Sequence, residues 1–154
     1  MKAIVLGDSH RDYRSIHKIL TSEAPFDQII HTGDVHRDVE DILSVYQDIP
    51  CAYVLGNNDF LVWGVPNRRE FSLGNIKVFL THGHLYGVKQ SCGRLLREAK
   101  ACGARLCIFG HTHKACAEEK DGIFLLNPGA AYRSYAVVEY DGDNFTVKLK
   151  ETPE

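Results

Sequence analysis

The 154 residues predict an α/β fold of two packed mixed β-sheets flanked by helices. Three observations carry that expectation. Short apolar runs alternate with stretches of helical period in the first half, hairpin spacing takes over beyond Pro66, and strand after strand ends in glycine followed by a polar residue.

Lys2 to Leu6 is an apolar run that ends at Gly7 and Asp8, and Tyr13, Ile16, Ile19 and Leu20 come next at helical spacing. The unit then recurs. Gln28 to His31 stops before Gly33, Val39, Ile42, Leu43 and Tyr46 mark a second helix, and Ala52 to Leu55 ends at Gly56. Strands separated in this way by helices favour parallel pairing. Beyond Pro66, Arg69 to Leu73 and Ile76 to Thr81 flank Gly74-Asn75, a pair suited to a tight hairpin, so a second, antiparallel element is expected to begin there. Cys92 to Ala101, closed by Gly103, reads as a third helix. Arg105 to Phe109, Ala115 to Glu119, Ile123 to Leu126, Ala136 to Tyr140 and Phe145 to Lys150 read as further strands, with turns at Asp121-Gly122 and Asp141-Gly142. No repeat or linker interrupts the pattern, and one domain over residues 1–154 is expected.

Composition narrows the function classes. An apolar share of 44% and a charged share of 25% are those of an ordinary globular chain, which excludes a disordered or fibrous class. A net charge of -2 without a basic run argues against a grip on long nucleic acid. No apolar stretch approaches the roughly eighteen residues of a membrane span. Five dispersed cysteines, an odd number with no Cys-x-x-Cys pair, read as reduced core thiols. A soluble, cytoplasmic protein is expected.

Five strand ends carry residues that ligate metals through oxygen or nitrogen: Asp8-Ser9-His10, Gly33-Asp34, Gly56-Asn57-Asn58-Asp59, Thr81-His82-Gly83-His84 and Gly110-His111-Thr112-His113. Alone, each is an ordinary turn. Together they describe a site, because the carboxyl ends of parallel strands converge on one crevice. Alternate residues of extended chain project to one side, so Asp8-x-His10 and His111-x-His113 can each offer two ligands to one cavity. Of the eight histidines only His17, His31 and His36 lie outside these motifs.

The ordered set D-x-H, G-D, G-N-x-D, H-G-H, G-H-x-H resembles the calcineurin-like metallophosphoesterase superfamily over nearly the whole chain. The short length and Asn127-Pro128-Gly129 point to its small bacterial and archaeal phosphodiesterase branch, whose fold the eukaryotic retromer subunit Vps29 shares. The resemblance implies a βαβαβ sandwich with a centre of two divalent ions between the sheets. It implies Asp8, His10 and His113 on the first ion, Asn57, His82 and His111 on the second, and Asp34 bridging. Oxygen and nitrogen donors without thiolate suit manganese, nickel, zinc or iron. The implied activity is hydrolysis of a small phosphate ester by metal-activated water, and relatives in that branch suggest a homodimer or higher homo-oligomer. Asn58 departs from the superfamily pattern, which often has a histidine there to protonate the leaving group; an amide cannot, which favours a diester over a monoester. His84 is the nearest candidate for a substitute acid or a substrate contact, and Asp59 for a residue that orients a ligand. The competing expectation is a non-catalytic, Vps29-like protein-binding scaffold.

Overall fold

In the computed structural model, which describes residues 1–154, β1 (Lys2–Leu6), β2 (Gln28–His31) and β3 (Cys51–Tyr53) are joined by α1 (Tyr13–Glu23) and α2 (His36–Val45). The three strands pair in parallel, Leu6 opposite His31 and His31 opposite Tyr53. The chain then builds a second sheet from β4 (Arg68–Leu73), β5 (Ile76–Thr81), β6 (Leu106–Ile108), β7 (Cys116–Lys120) and β8 (Ile123–Asn127), with α3 (Gly93–Ala101) crossing from β5 to β6. Last come β9 (Ser134–Asp141) and β10 (Asn144–Glu151). They return to the first sheet, and the strand orders are β10-β9-β1-β2-β3 and β4-β5-β6-β8-β7.

The hairpin expected at Gly74-Asn75 is present, with Leu73 opposite Ile76, and Lys120 faces Ile123 across Asp121-Gly122. The second sheet is nevertheless more parallel than the hairpins suggest. β5, β6 and β8 all run the same way, because α3 carries the chain back along the sheet before β6, and β7 serves as an antiparallel edge. Each sheet therefore holds three parallel strands, and the loops at their carboxyl ends leave from one edge of that sheet, where open α/β folds place their ligands.

Period-two alternation decides which residues face which layer. Ala3 and Val5 of β1, Val78 and Leu80 of β5, Leu106 and Ile108 of β6, and Ala136 and Val138 of β9 meet between the two sheets. Ile4 and Leu6 point the other way, onto Ile16, Ile19 and Leu20 of α1 and Ile42 of α2. Phe79, Cys107 and Leu125 do the same on the second sheet, beneath Leu95, Leu96 and Ala99 of α3. Every central strand is thus buried on both faces, which is why these strands read as continuous apolar runs. α1 starts where the Asp12 carboxylate accepts a bond from the Ser15 backbone N–H at 3.1 Å, satisfying one free donor of the first turn.

Leu106 is fully buried at the centre of the interlayer core. Leu106→Ala is predicted to lower unfolding free energy by about 2–5 kcal/mol, the usual cost of such a cavity. Urea titration followed by circular dichroism reads it, and a loss below about 1 kcal/mol would remove Leu106 from the core.

Candidate metal centre

Each of the first two parallel strands hands the chain to a loop that carries acids or histidines: β1 to Asp8 and His10, β2 to Asp34. β3 leads to Asn57, Asn58 and Asp59, β5 to His82 and His84, and β6 to His111 and His113. To turn these side chains inward the backbone leaves its ordinary range. Asp8, His10, Asp34, His111 and His113 all have positive φ, between 46° and 76°, and so does the β-branched Val35 at 65°. Left-handed backbone at a non-glycine residue costs on the order of 1–3 kcal/mol and persists where surrounding contacts impose it. The loops also press on one another: a Cβ at Gly110 would lie 2.7 Å from Asp8 Oδ2 and 2.6 Å from Thr32 Oγ1, so only glycine lets the β6 loop close over the β1 loop.

Two groups of ligand atoms result, and both contain Asp8. Asp8, His10 and His113 form one; Asp8, Asp34 and His82 form the other. Asp8 Oδ1 lies 3.4 Å from His113 Nε2, 3.7 Å from His82 Nε2 and 4.0 Å from His10 Nε2. His10 Nε2 is in turn 3.5 Å from Asp34 Oδ2 and 3.2 Å from His113 Nε2. Asn57 enters through its Oδ1, 3.0 Å from His82 Nε2. The His111 ring stands beside His82, with centroids 5.2 Å apart, and its backbone N–H donates to Asp8 Oδ2 at 3.0 Å. His84 packs on the same cluster, 5.4 Å from the His82 ring and 6.1 Å from His111. Asn58 is committed to Asp34: its backbone N–H and side-chain amide donate to the two carboxylate oxygens, each at 2.8 Å. Asp59 accepts from the backbone N–H groups of Asp34, His36 and Gly56 at 3.2, 2.6 and 2.8 Å, and so ties the β2 loop to the β3 loop.

These donors fit a cation. Asp8 Oδ1 is completely buried and has no hydrogen-bond partner, a costly state for a carboxylate oxygen. His82 poses a second problem. Its Nδ1 faces the Thr32 carbonyl at 2.9 Å and its Nε2 faces the Asn57 carbonyl oxygen as that amide is oriented. A neutral imidazole has one proton, so one of these contacts is acceptor against acceptor. Burial holds the His82 pKa down to about 4, which closes the route of a second proton near neutral pH. A positive ion beside Nε2 and Asp8 Oδ1 resolves both conflicts at once.

A model of the calcineurin-like phosphoesterase superfamily domain matches residues 1–145. The chain belongs to that superfamily. It is 31% identical to the probable metallophosphoesterase YsnB of Bacillus subtilis, over 97% of this chain and 90% of that protein. A predicted phosphoesterase from Streptococcus pneumoniae has the same fold, with a TM-score of 0.81 and 29% identity over 97% of this chain and 88% of that one. Vps29 of Entamoeba histolytica, solved in complex with zinc, superposes with a TM-score of 0.78 at 21% identity, covering 99% and 98% of the two chains. These proteins share the fold, and the donor set suits the divalent ions that the superfamily binds.

Behind the metallophosphoesterase cleft lies a polar chain that the sequence motifs do not announce. His31, the last residue of β2, is wholly buried, and burial presses its pKa down to about 3. The neutral ring accepts from Gly33 N–H at Nδ1 (3.1 Å) and directs Nε2 at the Ser9 hydroxyl (3.3 Å). Ser9 donates its proton to Asp38, 2.5 Å away on the first turn of α2, and Asp38 also accepts from the Arg11 backbone at 2.9 Å. The run fixes the tautomer of His31 and locks the loop bearing Asp8 and His10 to the loop bearing Asp34. On the far side, the Asn127 amide donates to Gly110 O (3.2 Å) and Thr112 Oγ1 (2.9 Å), holding the loop of His111 and His113. The only hint of either network in the sequence is a polar residue at the end of an apolar run.

Asp8 supplies a test. Burial, with the nearby Asp34 charge adding to it, pushes its pKa up from 3.8 to about 7, against the lowering effect of the His111 backbone bond. The folded carboxyl therefore keeps a proton that the unfolded chain has lost, so the metal-free protein loses stability as pH rises from about 4 through about 7. Asp8→Asn removes that loss. In chelator at about pH 8 the variant is predicted to melt above the wild type by a few kcal/mol of stability, since one pK unit is worth about 1.4 kcal/mol. Mn²⁺ is predicted to raise the melting temperature of the wild type only. Scanning calorimetry decides, and a variant that melts lower in chelator at that pH contradicts the reading.

Proposed function

We propose that this single domain is a dinuclear metal-dependent phosphodiesterase that hydrolyses small phosphodiesters in the cytoplasm by metal-activated water. The observation that carries it is the buried, unpartnered Asp8 Oδ1 shared by two groups of ligand atoms. Asp8, His10 and His113 would hold one ion and Asn57, His82 and His111 the other, and Asp34, 3.5 Å from His10 Nε2 and grouped with Asp8 and His82, would ligate as well. Manganese is the ion proposed, and nickel, zinc or iron would fit the same oxygen and imidazole donors. When bound, such ions lower the pKa of a water and neutralise charge building on the phosphoryl oxygens.

The rest is the work of the chain. Asp34 is held in place by both N–H groups of Asn58 and, through its backbone, by Asp59. Asn58 therefore has no acidic proton to give and no free rotation to seek one. Burial keeps the His84 pKa below its ordinary value, so its imidazole is neutral near pH 7, and its buried Nδ1 has no protein partner. A neutral donor can orient a phosphoryl oxygen but is a poor proton source. With neither Asn58 nor His84 suited to act as general acid, esters whose leaving group departs without protonation are favoured, a factor worth about 10²–10⁴ in rate.

The prediction is hydrolysis of bis-p-nitrophenyl phosphate that requires Mn²⁺ and stops with chelator. An alkyl phosphomonoester should turn over more slowly. Asp34→Ala and His111→Ala should each lower kcat/KM by on the order of a hundred-fold or more, with a parallel fall in bound metal. Full activity and metal content in Asp34→Ala, or a preference for the monoester, would refute this assignment. A second reading, a Vps29-like protein-binding scaffold, is favoured by one feature: the loop after Asp59 exposes Phe60, Leu61 and Trp63. It predicts metal binding without turnover of either ester.

A further inference from the structure

Beside the metal cleft, on the side of Asn58, lies a cavity of about 450 Å³ whose lining includes Arg11, His36, Arg37, Asn58 and Phe60. It adjoins the cleft directly. Asn58, which lines it, donates to Asp34, and Arg11 is the residue next to His10 in the chain. The size is within the usual range for a small-molecule site, roughly 300–1,000 Å³.

The formal charges of its lining cancel, Arg11 and Arg37 against Glu40 and Asp59, but the two signs are not paired with one another. Neither the Arg11 nor the Arg37 guanidinium meets a carboxylate at ion-pair distance, although Glu40 and Asp59 both line the cavity. Asp59 is already engaged, and Glu40 stands beside a histidine on the exposed face of α2. Glu40 lies 3.8 Å from His36 Nε2, and Asp59 accepts three backbone N–H bonds. Arg11 and Arg37, both exposed and with no ion pair or side-chain hydrogen bond, thus line one concavity together with Phe60, which is 77% exposed. Guanidinium forks match phosphate and carboxylate oxygens, and an exposed aromatic ring stacks on flat heterocycles.

We infer that this cavity is a substrate subsite for the non-reacting part of the ester. Arg11 and Arg37 grip a second anionic group there and Phe60 stacks on a ring, so the substrates are nucleotide-like esters that carry a second phosphate or carboxylate. The inference rests on the phosphodiesterase reading for the reacting phosphate. It adds the identity of the substituent, and Arg11, Arg37 and Phe60 are its specificity-determining residues.

The test is equilibrium binding, separate from turnover. Isothermal titration of the Mn²⁺-loaded protein compares adenosine 3′,5′-bisphosphate with adenosine 5′-monophosphate, both monoesters and so poor substrates under the phosphodiesterase reading. The wild type is expected to bind the bisphosphate about ten-fold tighter, the usual worth of a charge-assisted contact. Arg37→Gln, on an exposed helix face, should remove most of that preference, and Arg11→Gln with Arg37→Gln all of it, at unchanged melting temperature. Phe60→Ala should weaken both nucleotides together. The control is the opposite flank, where Lys89 and Lys114 line a separate cavity: Lys89→Gln with Lys114→Gln should leave the preference in place. Equal affinities in the wild type overturn the inference. So does a preference that survives the double arginine variant or that disappears with the lysine variant. Release of phosphate from the bisphosphate would count against the diesterase reading alone and leave the subsite intact.

Discussion

A carboxylate with no access to water stands at the carboxyl end of β1, and its Oδ1 meets imidazole nitrogens from three loops without a hydrogen bond to any donor. Much of the surrounding structure depends on that constraint. The charge cannot be neutralised by a lysine or arginine, since none makes an ion pair with Asp8, and its one firm partner is the His111 backbone N–H at Oδ2. Burying an uncompensated charge is among the most expensive arrangements a fold can contain, so without a cation the Asp8 carboxyl is pushed toward its protonated form, with a pKa of about 7. The left-handed backbone at Asp8, His10, Asp34, His111 and His113 belongs to the same account, because these loops are bent toward a point that the protein itself leaves negative.

What holds the loops bent is the rigidity beneath them. Five parallel strands deliver them from two sheets, and the strands are pinned by apolar layers, so a strand end cannot relax without opening a core. Polar links then couple loop to loop. His31, Ser9 and Asp38 join the first to the second, Asp59 the second to the third, the His82 ring and the Thr32 carbonyl the fourth to the second, and Asn127 steadies the fifth. Each of these groups sits behind a ligand candidate and fixes its orientation, the supporting shell that metal sites require.

The fold and the ligand candidates were legible in the sequence for the same reason. A parallel strand buried on both faces is an apolar run, so the residue at which it turns polar is conspicuous, and glycine beside it marks where two loops touch. Ile76 to Thr81 could be bounded in this way, and so could Asp8, Asp34 and His82. Other features had no local signal. That β9 pairs antiparallel with β1, closing the first sheet with the last part of the chain, depends on contacts more than a hundred residues apart. The parallel run of β5, β6 and β8 was obscured by the hairpin turns around it. His31 read only as the end of a strand and Asp38 drew no reading at all, since their meaning lies in Ser9, more than twenty residues away. Asn58 was noticed for what it lacks, an acidic proton, whereas its bonds to both oxygens of Asp34 appear only in three dimensions.

Net charge shows the same limit from another direction. A total of -2 argues against a long polyanion, and the sequence alone offers no basic track. Yet the cations nearest the cleft are not evenly spread: Arg11 and Arg37 line the cavity on one flank, Lys89 and Lys114 the cavity on the other. The Lys89 charge is close enough to oppose the upward shift of the Asp8 pKa. Charges within about 10 Å of the cleft matter more than the total once salt screens the remainder, and there the four cations stand among the acids Glu40 and Asp59. The distribution of charge around the cleft, set by where these side chains stand in the fold, is therefore something that no sum over the sequence contains.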